Sequence, residues 1–409
     1  MCYSEQKAAE LLKTYGSPLY VFDQQGFIDN YQALLKCFRL IYPKYNIAYS
    51  YKTNYTPGVV SLVKKLGGLA EVVSNMEFTL ARKLGYDCRD IIYNGPVKGQ
   101  GLYEQLTQGG AVNVDNLEEM GAICRFAREN PTVTCHLAFR LNIDIGQSFI
   151  SRFGIDAFNG DLDRAFRMAQ AEPNISVVGL HCHVGKSRGL EAWKNRVDLM
   201  FTLVDKYFEK PPKFIDLGSG MNSVMEPELA KQFPGEIPSF GEYAALVATR
   251  FQEKYGNLPY EDQPLLLTEP GTTLISGFVS FLTTVDSIKT VRGKTYATFD
   301  SSCGNMGEIC IYKQLPLTVY PWGRDRKPVE NADFAGYTCL EHDIIYRGFC
   351  GTLGAGDVVQ FRNLGSYSSV FKPPFISPNC AMVSLDWEGN AKLLKKKETF
   401  DNIFETYIF

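Results

Sequence analysis

A lysine that closes an apolar run is the first residue of this chain placed to do covalent chemistry. Lys52 follows Asn-Ile-Ala-Tyr-Ser-Tyr at 46–51 and precedes Thr53-Asn54. Desolvated at a cavity rim, its amine would lose basicity and could attack a carbonyl to form an imine. In water it would be an ordinary surface lysine. Other short apolar runs also end on polar groups: Glu71 and Ser74; Asn94; Asp115; Arg140 and Asn142; His181 and His183; Asp216, Gly218 and Gly220; and Glu269. On a strand, His181 and His183 point one way and Cys182 the other. Two such imidazoles suit zinc, but no Cys/His pair completes a ligand set at the usual spacing. The other histidines are His136 and His342. No metal is therefore expected, and a histidine stacked on a flat ring fits better. Gly218-Ser219-Gly220 lets backbone amides approach a phosphate, though it would equally serve an ordinary turn. Glu269, before Pro270-Gly271, offers a carboxylate for a protonated ring nitrogen.

These groups need a scaffold that gathers strand ends. Strand-like runs at 46–51, 70–73, 90–93, 111–114, 134–141, 176–182, 213–217 and 264–268 alternate with helical stretches at 57–66, 75–84, 101–108, 116–128, 161–171, 190–207 and 238–255. Eight or nine β/α units in series predict a parallel barrel of the TIM type, whose chemistry sits at the C-terminal strand ends. A doubly wound sheet has the same rhythm, but no strand here leads into a dinucleotide glycine fingerprint. From about Val279 the composition turns to Val, Thr, Tyr and Phe between turn residues, which predicts an antiparallel β-barrel or sandwich without helices. The strand-like 18–23 could join it. The expected domains are a barrel over 24–275 and a discontinuous β domain from 1–23 and 276–409.

Bulk properties narrow the function classes. The chain has 409 residues and a net charge of −3, so nothing favours nucleic acid or a membrane surface. No run approaches the roughly 18 apolar residues of a membrane helix, and the polar N-terminus lacks an apolar signal core. A cytoplasmic location is the expectation. Eleven scattered cysteines argue against a disulfide framework.

Nine motifs then occur in one order: Tyr-Ser-Tyr-Lys-Thr-Asn at 49–54, Glu-Val-Val-Ser-Asn-Met-Glu at 71–77, Tyr-Asn-Gly-Pro-Val-Lys at 93–98, Ser-Arg-Phe-Gly-Ile at 151–155, Gly-Leu-His-Cys-His-Val-Gly at 179–185, Asp-Leu-Gly-Ser-Gly at 216–220, Glu-Pro-Gly at 269–271, Gly-Tyr-Thr-Cys at 336–339 with Asp343, and Gly-Ser-Tyr at 365–367. In these the chain, from about residue 15 to 385, resembles the pyridoxal-phosphate-dependent decarboxylases with an alanine-racemase-like fold, the family of diaminopimelate and ornithine decarboxylases. The resemblance implies pyridoxal 5'-phosphate as cofactor and carboxy-lyase activity on an amino acid. It implies that Lys52 carries the cofactor as a Schiff base, that His183 stacks on the ring and that Glu269 pairs with the ring nitrogen. Gly218, Gly220, Gly271 and Tyr367 would hold the phosphate. Glu71, which stands where the family usually has aspartate, Glu77 and Arg140 would lie near the cofactor. Cys339 would protonate the product carbanion. It would enter the site with Asp343 from the partner subunit of a homodimer.

The chain departs from the family where the substrate's far end is bound. The arginine that follows Glu-Pro-Gly in diaminopimelate decarboxylases is Thr272, and the acidic residue after the cysteine is Leu340. Tyr312 is kept without its preceding arginine, and the aspartate of ornithine decarboxylases is Lys313. Lys186 replaces a serine that touches phosphate. These changes predict a substrate with a non-basic tail, free or carried on a pantetheine arm, rather than meso-diaminopimelate or ornithine. A racemase on the same fold, a non-catalytic cofactor carrier and, more distantly, a zinc hydrolase barrel are the alternatives.

Overall fold

The computed structural model describes residues 3–147 and 149–409. The chain divides into two compact units, 31–222 with 235–273, and 1–30 with 223–234 and 274–409.

The first unit is a closed barrel of eight parallel strands. Around it run Tyr45–Ser50, Leu69–Val72, Ile91–Tyr93, Ala111–Val114, Cys135–Asn142, Ile175–His181, Phe214–Asp216 and Leu265–Thr268, and the last pairs with the first. The β/α rhythm read from the sequence is therefore the observed one. Its helices are sequence-encoded at their ends. Ser74 caps Asn75–Lys83 by accepting from the Glu77 amide, and Ser239 forms a capping box with Glu242 on Phe240–Tyr255. The barrel is filled, since Ala48, Ile92, Ala138, Val178, Phe214 and Leu267 pack as one buried cluster drawn from six strands. Register aligns the polar strand ends above it: Ser50 lies opposite Glu71, and Arg140, His181 and Asp216 form a row across three strands.

The second unit is a mixed sheet. Leu19–Asp23 enters it, pairing antiparallel with Val279–Val291 and parallel with Ala381–Leu385, and Lys294–Phe299 pairs parallel with Arg324–Ala335. The remaining pairings are antiparallel. Its core gathers Leu11, Leu19, Val21, Leu282, Val358, Val383 and Leu385. Segment 223–234 is tied in by Arg362, whose Nε and Nη2 reach the Glu226 carboxylate at 2.5 and 2.9 Å. The expectation of a helix-free region needs correction. Cys303–Met306, Ile309–Tyr312 and Phe400–Phe404 are short helices, too short for an apolar repeat to show in the sequence.

Ten cysteines are free; Cys2 lies outside the described residues. No described helix is long and apolar enough to cross a membrane.

Candidate active site

Lys52 sits in a short 3-10 turn, Tyr51–Thr53, directly after its strand. Its Nζ lies 2.6 Å from Glu71 Oε2 and donates to Ser50 Oγ at 2.7 Å. Ser50 donates in turn to Glu71 Oε2 at 2.5 Å. The Glu71 side chain is 1% exposed and that of Lys52 31%, so the acid is structural and the amine still reaches the cavity.

Asn94 joins the two acids. Its Nδ2 donates to Glu71 Oε1 at 2.9 Å and to Glu269 Oε1 at 2.5 Å, while Asn113 holds its Oδ1 at 2.6 Å. Asn94 is a strand-end residue to which sequence reasoning gave no role. The signal was present in its position, one step past Ile91–Tyr93.

Glu269 is buried at the floor. Its Oε2 lies 3.2 Å from His181 Nε2 and 3.7 Å from His183 Nδ1, so both imidazoles do face the same side. Burial pushes the Glu269 pKa up, but the adjoining His181 ring and the Lys52 ammonium outweigh it and hold the carboxyl well below the usual range. Asp216 behaves oppositely. Burial, then the Glu269 charge, raises its pKa far above the ordinary value. Its Oδ1 accepts the Gly218 amide at 2.8 Å and its Oδ2 has no partner. Ligand atoms of His181, Asp216 and Glu269 come within 4.8 Å of one another, all three buried, and His181 is already bonded to Glu269. Burial and the Lys52 charge push the His183 pKa well down. Its Nδ1 accepts the Ser219 amide at 3.2 Å, which leaves the neutral ring with its proton on Nε2.

Gly218 and Gly220 have φ of +59° and +106°, and a Cβ on either would meet a backbone carbonyl, of Cys182 at 2.5 Å or Val184 at 2.4 Å. Only glycine tolerates both the conformation and the approach. Gly271 is equally tight, with Thr53 Oγ1 2.0 Å from a Cβ position. Thr272 opens the short helix Thr272–Ile275.

A cavity of about 400 Å³ lies over these groups, lined by Lys52, Glu71, Arg140, Phe149, Arg152, Phe153, His183, Lys186 and Glu269 among others, within the usual size of a small-molecule site. The Arg140 and Arg152 guanidinium carbons lie 4.8 and 4.1 Å from the Phe153 ring centre, and Lys186 Nζ lies 5.5 Å from that of Phe149. Arg140 also faces Asp115 at 3.8 Å. Arg152 and Phe153 came with a motif but carried no assigned role.

Glu77 is buried beside this cluster, and its Oε2 accepts the Val73 amide at 2.8 Å. Burial, with the Glu71 charge adding, raises its pKa to about 7. A carboxyl raised above its unfolded value contributes stability below about pH 4.5, and that contribution is lost as pH rises through about 7. The shift corresponds to about 3 kcal/mol. Urea unfolding at pH 5 and 8 should therefore show Glu77→Gln gaining stability over the unsubstituted protein at the higher pH; parallel pH profiles would refute this.

The remaining sequence candidates lie in the β unit. Cys339 is exposed, and a cavity of about 520 Å³ runs past it, lined also by Lys289, Tyr296, Leu340 and Asp343. Asp343 is not a free acid: it is 2% exposed, its Oδ1 accepts the Cys303 amide at 2.7 Å, and its Oδ2 accepts from Thr338 Oγ1 at 2.6 Å. Through these bonds it braces the cysteine loop. Lys313 also differs from expectation, because its ammonium bonds the Gln232 carbonyl and lies over the Phe233 ring. Tyr312 is 74% exposed. Tyr367 holds a positive φ of 53°.

A sequence profile for the pyridoxal-dependent decarboxylase pyridoxal binding domain matches residues 28–276. The diaminopimelate decarboxylases of Methanothermobacter thermautotrophicus and Aquifex aeolicus are each 25% identical over 97% of this chain, covering 92% and 93% of theirs. The crystal structure of M. jannaschii diaminopimelate decarboxylase in complex with L-lysine superimposes with a TM-score of 0.86 at 22% identity, covering 98% of this chain and 94% of that one.

Proposed function

Since this chain belongs to the pyridoxal-dependent decarboxylases, we propose that Lys52 is its cofactor lysine and that its amino-acid substrate carries a non-cationic tail. The observation that carries the first part is the convergence of Lys52, His183 and the ionised Glu269 on one cavity. Its donor set suits pyridoxal phosphate: a buried anion for a pyridinium, a neutral imidazole beside it, a reachable primary amine, and glycine loops at strand ends. When bound, the cofactor supplies an electron sink for the carbanion left by carbon dioxide.

The chain's own groups do the rest. Glu71 and Ser50 aim the Lys52 amine. Asn94 and His181 keep Glu269 fixed and charged, so the sink needs no reorganisation. His183 covers the cofactor face. Gly218, Gly220 and Gly271 shape the phosphate seat. Cys339 returns a proton from Sγ to the α-carbon. Its exposed loop, braced by Asp343, is supplied by a second copy of the chain, making a homodimer with shared sites.

The tail preference rests on charge. Arg140, Arg152 and Lys186 line the cavity, whereas its acids Glu71 and Glu269 are committed to Lys52 and His181. An ammonium tail would find no free carboxylate among these lining residues, a loss of about 1–3 kcal/mol or more. Carbon dioxide release should be assayed on glutamate- and aspartate-type, neutral and conjugated amino acids beside ornithine, lysine and meso-diaminopimelate, the substrate for which the relatives are named. Acidic or neutral substrates are expected to lead. Turnover confined to the basic ones and diaminopimelate would overturn the tail assignment, and loss of optical rotation without carbon dioxide would overturn decarboxylation.

A further inference from the structure

Arg196, on the helix Leu190–Tyr207, is fully buried although the proposed chemistry gives it no task. Its Nη1 donates to the carbonyls of Leu217 and Ser219, both at 2.8 Å, and its Nη2 to the Val184 carbonyl at 3.0 Å. Trp193 covers the guanidinium at 4.2 Å, and Nε has no partner. Arg250 and Arg362 pair with Asp198 and Glu226, but Arg196 joins no ion pair among the described residues. A guanidinium stays charged in any protein setting, and a buried charge held only by neutral carbonyls is costly.

The three carbonyls come from two loops, one after Phe214–Asp216 and one after Ile175–His181. The loops touch where Gly220 meets the Val184 carbonyl. In a trans peptide the C=O and the following N–H point in opposite directions. Turning the Ser219 and Val184 carbonyls onto Arg196 therefore turns the amides of Gly220 and Gly185 away from it. Gly185 lines the cavity, and neither amide has an acceptor among the described residues. The neighbouring amides of Gly218 and Ser219 are already spent on Asp216 and His183.

We propose that Arg196 is a positioning residue that sets the Gly185 and Gly220 amides toward a phosphate and lends that phosphate its buried positive charge. This rests on the cofactor assignment above. It locates the discrimination for the phosphate end in a side chain that never touches it.

The test compares apo-protein affinities for pyridoxal phosphate and for pyridoxal, by absorbance titration, in the unsubstituted protein, Arg196→Met and Arg196→Lys. A general loss of packing weakens both ligands alike, so the ratio is the readout. The preference for the phosphorylated ligand should fall about tenfold or more in Arg196→Met and less in Arg196→Lys, which keeps the charge but loses the fork. Stabilisation of the apo-protein by inorganic phosphate in a thermal melt should shrink in the same order. Should Arg196→Met fail to fold, Arg196→Lys decides alone. An unchanged ratio together with unchanged phosphate stabilisation would overturn the proposal. A protein that binds neither ligand through Lys52 would instead overturn the cofactor assignment.

Discussion

Lys52→Ala is expected to lower turnover by about 10⁴-fold or more, the scale seen when a covalent catalyst is removed from its site. The change also takes away the cation 2.6 Å from a buried acid, so part of any loss could come from folding. Lys52→Arg separates the two effects. Arginine keeps a positive charge opposite Glu71 but offers no nucleophilic amine at protein pH. Both variants should be folded by circular dichroism, because Ser50 and Asn94 still donate to Glu71. Both should be inactive under single-turnover conditions. A folded Lys52→Arg protein with more than a few per cent of normal activity would remove Lys52 from the chemistry.

Glu269→Gln is expected to lower kcat by about 10²–10³-fold, the effect of deleting one preorganised electrostatic contact in a water-excluded site. The carboxylate is held charged by its neighbours despite burial, and a neutral amide in its place cannot keep a ring nitrogen protonated. The carboxylate meets Asn94 and His181 with separate oxygens, only one of which an amide keeps. Substrate affinity should change far less than kcat, since Glu269 acts on charge that develops during reaction. Equal losses in kcat and KM-derived binding would assign Glu269 a structural role. Asp216→Asn provides a control. Burial and the Glu269 charge push the Asp216 pKa far above its ordinary value, so its amide analogue should cost much less.

The barrel was legible because its code is local. Each strand is short and apolar, and each ends on a polar residue, so listing those ends placed Lys52, Glu71, Asn94, His181, His183, Asp216 and Glu269 around one mouth. What the list could not give is pairing. That Asn94 spans two acids, or that Ser219 spends its amide on His183, depends on register between strands far apart in the chain. The β unit was less legible. Lys313 was read for charge and Asp343 from the motif it shares with Cys339, and neither says where a side chain is tethered. The Gln232 carbonyl that claims Lys313 comes from a segment 81 residues away. The Asp343 carboxylate is consumed by amide and hydroxyl donors from its own loop and from Cys303. Arg196 escaped notice for the opposite reason: an arginine within an amphipathic helix reads as solvated surface, and only the structure reveals it as buried.

The central claim, a pyridoxal cofactor held by Lys52, is tested most directly by reducing the purified protein with borohydride and mapping its peptides by mass spectrometry. Reduction fixes an imine as a stable secondary amine. The account predicts a pyridoxyl phosphate adduct on the peptide containing Lys52, with loss of the absorbance band at the violet edge of the visible and no such adduct in Lys52→Ala. An adduct on a different lysine, or a full visible band that persists in Lys52→Ala, would contradict it.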